Sequence, residues 1–311
     1  MVEEVIMKVL EVSNLHKKFV KKEIIKGVDF FIEEGEIFGL LGPNGIGKTT
    51  VIKMIVGFLN ADEGSILIMG KDIEKDRVEA LKNLTAIVEN PEMYPYLSGM
   101  ENLKQIARMD KRIKKSDIEE AVNMVGLTKR INDKVKTYSL GMKQRLGLAQ
   151  AIMSNPKLII LDEPTNGLDP TGIIALRNTL KNLARERKIS ILISSHILSE
   201  VQLICHRVVF MEDGQTKLMR TLNSDNDKKE DRVIIVSNDK ESCKKVLKTM
   251  ECIHNISYKD GKLIALTDEN STPKIINKLC AESVEISEIY KKYETVEEMY
   301  MDVVNEVKLS S

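Results

Sequence analysis

The sequence predicts an α/β fold with a mixed sheet and an inserted helical subdomain, followed by a small α+β domain. Three observations predict it. Short apolar runs ending in Gly-rich or acidic residues alternate with stretches of helical spacing, as in strands linked by helices. The section from about 90 to 155 carries helical periodicity alone, which marks an insertion into that frame. Beyond residue 231 the pattern restarts as strand, helix, strand, strand, helix, strand, a ferredoxin-like order with one extra helix. The expected limits are 1–222 for the first domain, 223–231 for a polar, charged linker and 232–311 for an accessory domain.

Composition narrows the class. The chain has 311 residues, 42% of them hydrophobic, enough for about two domains with real cores. Lys+Arg and Asp+Glu are each 47, so the net charge is +0 and no global basic field favours nucleic acid as a partner. Cys205, Cys243, Cys252 and Cys280 match neither a metal site nor a disulfide framework, and read as reduced, partly buried residues. The first residues lack a basic and apolar leader, and no run approaches 18 uninterrupted apolar residues. A cytosolic location is expected, with attachment to a membrane partner left open.

Along the chain, residues 6–12 and 28–32 read as strands, with Glu33-Glu34-Gly35 turning into the next, 36–41. Phe19, between the first two, could stack on a base or pack in a core, and its position decides neither. Then comes Gly42-Pro43-Asn44-Gly45-Ile46-Gly47-Lys48-Thr49-Thr50, ahead of apolar residues at helical spacing over 51–58. This is G-x-x-x-x-G-K-T in the strand–turn–helix context that it needs. Its glycines let backbone N–H groups surround a phosphate, and the helix adds N-terminal donors and the positive end of its dipole. Lys48 would reach the β- and γ-phosphates, and the Thr49 hydroxyl would hold Mg2+. A match at the four fixed positions arises by chance in roughly one chain in a hundred of this length, and the flanking strand and helix make chance far rarer. The first domain is therefore expected to be a P-loop NTPase cassette.

Residues 64–70 and 85–89 read as further strands, the second ending at Glu89 before the turn Asn90-Pro91. Helices are expected over 100–109 and from Ser116, where Glu119 three residues on suggests a capping box, to Gly126. An apolar helix is expected over 144–153. Residues 157–164 form a buried strand delivering Asp162 and Glu163 to its C-terminal edge, where open α/β sheets bind ligands. Asp162 would hold Mg2+ through its water shell, and Glu163 could orient and polarise an attacking water. Asp169 and Pro170 read as N-cap and first residue of a helix running to about 187. Strand 189–194 leads to His196, which could contact a γ-phosphate or simply cap a helix. A hairpin on Asp213-Gly214 joins 207–211 to 215–218. In the accessory domain, strands are expected at 232–236, 253–258, 262–266 and 284–289, with helices at 240–250, 272–281 and 296–304. It shows no chemical constellation.

Taken in order, the P-loop, Glu89, Tyr138-Ser139-Leu140-Gly141-Met142-Lys143-Gln144-Arg145, 158–164, Gly167-Leu168-Asp169 and His196 resemble the ATP-binding-cassette ATPases of membrane transporters. The resemblance covers about residues 6–220, and the Ser-x-Gly signature is its specific part. The tail is similar to that of cassette subunits from antibiotic-efflux and resistance exporters. The resemblance implies ATP and Mg2+ as ligands, membrane permease subunits on separate chains, and a location on the inner face of the membrane. It also implies two copies packed head to tail. Ser139, Gly141 and their helix N-terminus would then bind the γ-phosphate held by the other copy's P-loop, and Asp169 would bridge the copies. Phe19 matches the position that stacks adenine. There are two departures. Glu89 stands where Gln is usual, as in lantibiotic-immunity and bacitracin-resistance exporters, and its carboxylate could ligate Mg2+ or a water. Leu140 stands where Gly is usual. The implied function is ATP hydrolysis driving export of a peptide antibiotic; the alternative is a soluble cassette ATPase acting on ribosomes or DNA. One P-loop and no sustained heptads disfavour that alternative.

Overall fold

The computed structural model describes residues 7–20, 22–89, 91–222, 230–259, 261–292 and 295–301. It divides the chain into two compact units, Met1–Asn223 with Tyr300–Ser311, and Ser224–Met299.

The first unit opens with β1 (Lys8–Phe19) and β2 (Lys22–Glu33), an antiparallel pair. After a tight turn comes β3 (Ile37–Leu41), buried along its whole length. The loop 42–47 then leads into α1 (Lys48–Ile55). β4 (Glu63–Ile68) and the two-residue β5 (Lys71–Asp72) complete an antiparallel sheet of order β2-β1-β4-β5. The short α2 (Arg77–Leu81) precedes β6 (Leu84–Ile87). Three helices follow, α3 (Gly99–Met109), α4 (Lys115–Met124) and α5 (Leu140–Ile152), and they make up the insertion. The chain returns through β7 (Leu158–Asp162), α6 (Pro170–Arg187), β8 (Ser190–Ser195), α7 (Leu198–Ile204), β9 (Arg207–Glu212) and β10 (Gln215–Thr221).

The second sheet has the order β10-β9-β3-β8-β7-β6. All its pairs are parallel except β9–β10, so it is mixed, as expected. Strands covered on both faces read as continuous apolar runs, which is why β3 and β7 carry no alternation. Parallel pairing also brings the ends of β3, β7 and β8 to one edge. The core joins Leu10, Val12 and Ile32 of the antiparallel sheet to Ile52 and Ile55 of α1 and to Phe38, Leu158 and Leu192 of the mixed sheet.

The second unit contains β11 (Glu230–Val236), α8 (Lys240–Leu247), β12 (Ile253–Lys259), β13 (Lys262–Asp268), α9 (Thr272–Ala281) and β14 (Glu288–Lys291). Its sheet order, β12-β13-β11-β14, is antiparallel throughout, the ferredoxin-like arrangement. Val233, Ile235, Cys243, Leu247, Ile275 and Leu279 form its core.

Several elements differ from expectation. Helix α4 begins at Lys115, because Asp117 Oδ2 accepts from the Lys114 N–H at 2.7 Å; Ser116 lies inside its first turn and Glu119 caps nothing. A capping box does form at Ser98–Glu101 on α3, where Glu101 N–H donates to Ser98 Oγ at 3.2 Å and Ser98 N–H to Glu101 Oε2 at 2.7 Å. Helix α5 starts at Leu140, four residues earlier than its apolar stripe, because Ser139 caps it by accepting from the Met142 N–H. The last strand runs 288–291, not 284–289. The expected linker falls mostly on residues 223–229, outside the described residues, and Glu230 and Asp231 open β11. Of the final helix, 296–301 is helical and the rest lies outside the described residues.

Candidate functional site

The loop after β3 is shaped by backbone needs. Gly47 has φ 115, and a Cβ there would stand 2.5 Å from Ile25 Cδ1, so both conformation and space exclude a side chain. It serves as the N-cap position of α1 without a side-chain cap, leaving the helix donors to other acceptors. Pro43, Asn44 and Gly45 are exposed at the loop tip, while Gly42, Gly47 and Lys48 are buried.

Lys48 turns its ammonium into this loop. Its Nζ donates to Gly42 O at 2.7 Å and to Pro43 O at 3.2 Å, and lies 3.3 Å from Glu163 Oε1. The other Glu163 oxygen, Oε2, is 2.8 Å from His196 Nδ1. An ionised carboxylate only accepts, so Nδ1 carries the proton of that bond. Glu163 sits one residue past β7 with φ 48, a left-handed conformation uncommon for a residue with a side chain. Its N–H donates to Ser194 Oγ at 2.9 Å and to Ser194 O at 3.2 Å. Asp162 is almost fully buried, with Oδ2 accepting from Thr49 Oγ1 at 2.8 Å and Oδ1 from Ser194 Oγ at 2.5 Å.

Lys48, Thr49, Asp162, Glu163 and His196 therefore meet at one sheet edge, as the sequence implied. Ser194 joins them, and sequence reasoning named it only as the end of a strand. Its signal lies in register: Ser194 is the β8 partner of Asp162. Glu89 lies two residues past β6 near the same edge, with φ 65, and its Oε1 is 3.4 Å from Lys53 Nζ in an exposed pair. Ser139 and Asp169 act as N-caps of α5 and α6, Asp169 accepting from the Gly172 N–H at 2.9 Å. Phe19 is half exposed at the end of β1, with Lys17 Nζ 5.9 Å from its ring centroid, so it is not a core residue. Among the described residues no hydrogen bond or ion pair joins Phe19, Ser139, Gly141 or Asp169 to residues 42–50.

The donor set suits a small hard cation. The Thr49 hydroxyl and the Asp162 carboxylate stand together, and Asp162 and Glu163 outnumber the one ammonium. Two protein oxygens leave the rest of an octahedral shell to nucleotide and water oxygens, the usual way proteins hold Mg2+.

A groove of about 520 Å3 opens beside β6, α3 and α5. Ile87, Val88, Pro91, Ile106 and Met109 line it, and the Met109 side chain is largely exposed. Among the described residues no helix is long and apolar enough to cross a membrane.

The sequence model of the ABC transporter family matches residues 25–166. The chain is 43% identical to the ABC transporter ATP-binding protein YhcH of Bacillus subtilis, over 96% of this chain and 97% of that protein. It is 33% identical to the bacitracin transport ATP-binding protein BcrA of Bacillus licheniformis, over 95% and 97% respectively. Among solved structures, cbiO1 of Clostridium perfringens, part of the ABC transporter complex cbiONQ, superposes with a TM-score of 0.64 at 26% identity. That match covers 69% of this chain and 89% of cbiO1. With nearly its whole length matched by such relatives, and with the loop, strand-edge acids and histidine in one site, the chain belongs to the ABC transporter family as an ATP-binding subunit that hydrolyses ATP.

Proposed function

We propose that this chain powers a separate membrane permease by ATP-driven head-to-tail dimerisation, and that the transporter exports a peptide antibiotic or a similar amphiphile. The observation that carries the first part is the ion-paired set Lys48–Glu163–His196 beside Thr49–Asp162. A phosphate entering the loop would meet a desolvated ammonium and the donors of α1. Gly42 to Thr50 cradle the phosphates. Glu163 accepts a proton from the attacking water while His196 holds its other oxygen, and Phe19 stacks on the base. Thr49 and Asp162 would hold Mg2+, with Glu89 as a further candidate ligand, and the ion would neutralise charge on the phosphate oxygens. Ser139, Gly141 and Asp169 do not bond to the loop of their own chain, which fits their serving the site of a second copy.

The groove beside β6 supports permease docking, because its apolar lining and exposed methionine suit an apolar segment of a partner. The chain would then work on the inner face of the membrane without entering it. The cargo reading rests on likeness to the bacitracin transport protein over almost the full length of both chains and on Glu89.

The test is to purify the tagged chain from its host in mild detergent and identify what it retains. We expect a multi-span membrane protein, and Met109→Glu should release it while ATP affinity stays unchanged. Recovery of ribosomal or chromosomal proteins instead would overturn the transporter reading and leave the ATPase chemistry standing.

A further inference from the structure

We propose that Leu140 is a positioning residue for hydrolysis, latching the N-terminus of α5 onto the turn that leaves Glu163. The contact is mutual. A Cβ built on Gly167 would lie 2.7 Å from Leu140 Cδ2, closer than real carbon atoms approach, so the Leu140 side chain rests directly on the Gly167 backbone. In return, Leu168 Cδ2 stands 3.6 Å from where a Cβ on Gly141 would lie, so it faces that glycine at the distance of an ordinary side-chain contact. Two leucines thus lie over two glycines, one pair from each segment. Gly167 also holds φ 73, so its lack of a side chain serves both the turn and the seat for Leu140.

The turn is short and internally bonded. Asn166 N–H donates to Glu163 O at 3.2 Å, and Leu168 N–H to Thr165 O at 3.1 Å. It ends at Asp169, which caps α6. A push on Gly167 therefore reaches Glu163 within four residues. Glu163 is already in a left-handed conformation, held by Ser194, and its carboxylate must keep station between Lys48 and His196. Leu140 itself is 40% exposed, so the fold does not depend on it as on a core residue. Its Cδ2 bears on the turn at Gly167. A glycine at 140 would leave the turn uncovered and α5 free to shift without moving Glu163. With leucine there, the cap of α5 and the general base respond together.

The experiment uses the full chain and four variants: Leu140→Ala, Leu140→Met, Leu168→Ala and the double alanine. For each, kcat and KM for ATP are measured, with hydrogen exchange of the peptide spanning 164–169. For Leu140→Ala we expect kcat to fall about five- to tenfold at unchanged KM, since a misaimed base loses transition-state stabilisation without affecting nucleotide binding. Exchange at 164–169 should quicken by a similar factor. Leu140→Met, which keeps the reach, should restore both. The double variant should be no worse than the worse single one, because both substitutions break one latch. An unchanged kcat, a change confined to KM, unchanged exchange or multiplying effects would each overturn the assignment. So would loss of the folded state in Leu140→Ala, which would make Leu140 a structural residue.

Discussion

Ser194 ties the two strand-end carboxylates together. Its hydroxyl donates to Asp162 and accepts from the backbone of Glu163, and the residue is fully buried. In Ser194→Ala, Asp162 Oδ1 loses a donor and Glu163 N–H keeps only the longer bond to Ser194 O. We expect a loss of about 1–3 kcal/mol in denaturant unfolding, the usual result of stranding a buried polar group. We also expect a lower kcat with little change in KM, since Glu163 loses its backbone anchor while the phosphate loop is untouched. The contrast with Lys48, Thr49, Asp162 and Glu163 is instructive. Those four could be found in the sequence because a phosphate cradle and a strand-end acid pair each demand fixed residue types at fixed spacing. A serine closing a strand has no such signature; its role appears only when β8 is set in register beside β7.

At the scale of elements, the joint between β3 and β9 rests on a histidine. The Ile37 N–H donates to His206 Nδ1 at 3.0 Å, and His206 N–H returns a bond to Ile37 O at 2.8 Å. Beside it, Arg207 grips buried Glu36 with two nitrogens and lies 4.3 Å from the centroid of the Phe31 ring. Burial pushes His206 below its ordinary value; Glu36 pulls it the other way, and Lys181 adds to the fall. Protonating Nδ1 would also set a donor against the Ile37 donor. The unfolded chain takes up this proton near pH 6.5 and the folded chain resists it. This stability is therefore complete above about pH 6.5 and lost as pH falls below it. His206→Asn keeps an acceptor that does not titrate. Its melting temperature should drop less than that of the parent between about pH 7.5 and about pH 5.5. The buried strands β3 and β7 were readable from apolar pattern alone, since each buries a continuous run, and α6 from its Asp169–Pro170 start. The short α2 and α7 were not: one or two turns give too little periodicity, and packing rather than propensity holds them. The misplaced capping box has a similar cause. Ser98–Glu101 and Ser116–Glu119 have the same spacing, and an acid at 117 that reaches Lys114 decides where the second helix begins.

For the whole molecule, the division of expected site residues into two groups bears on assembly. One group meets at the sheet edge, and the other makes no bond to the loop of its own chain. If a second copy completes each site, Glu163→Gln, which should bind ATP without turning it over, should pass from monomer to dimer on adding ATP and Mg2+. Analytical ultracentrifugation would read the change, and a variant still monomeric at saturating ATP would rule out the head-to-tail site. How copies can meet is further limited by the borders of the sheets in the first unit. The long outer border of β2 faces β10, with Lys26 N–H donating to Gly214 O at 2.8 Å and Asp29 N–H to Thr216 Oγ1 at 3.1 Å. These bonds cover part of both borders. Among the described residues the other end strands are β5, two residues long, and β6, four residues long. Neither offers a run of free backbone groups on which another chain could add a strand. Borders this short make a poor template for β-augmentation and for the aggregation that follows from it. Reversible contact then falls more readily to loops and helices, surfaces that can part again after each turnover.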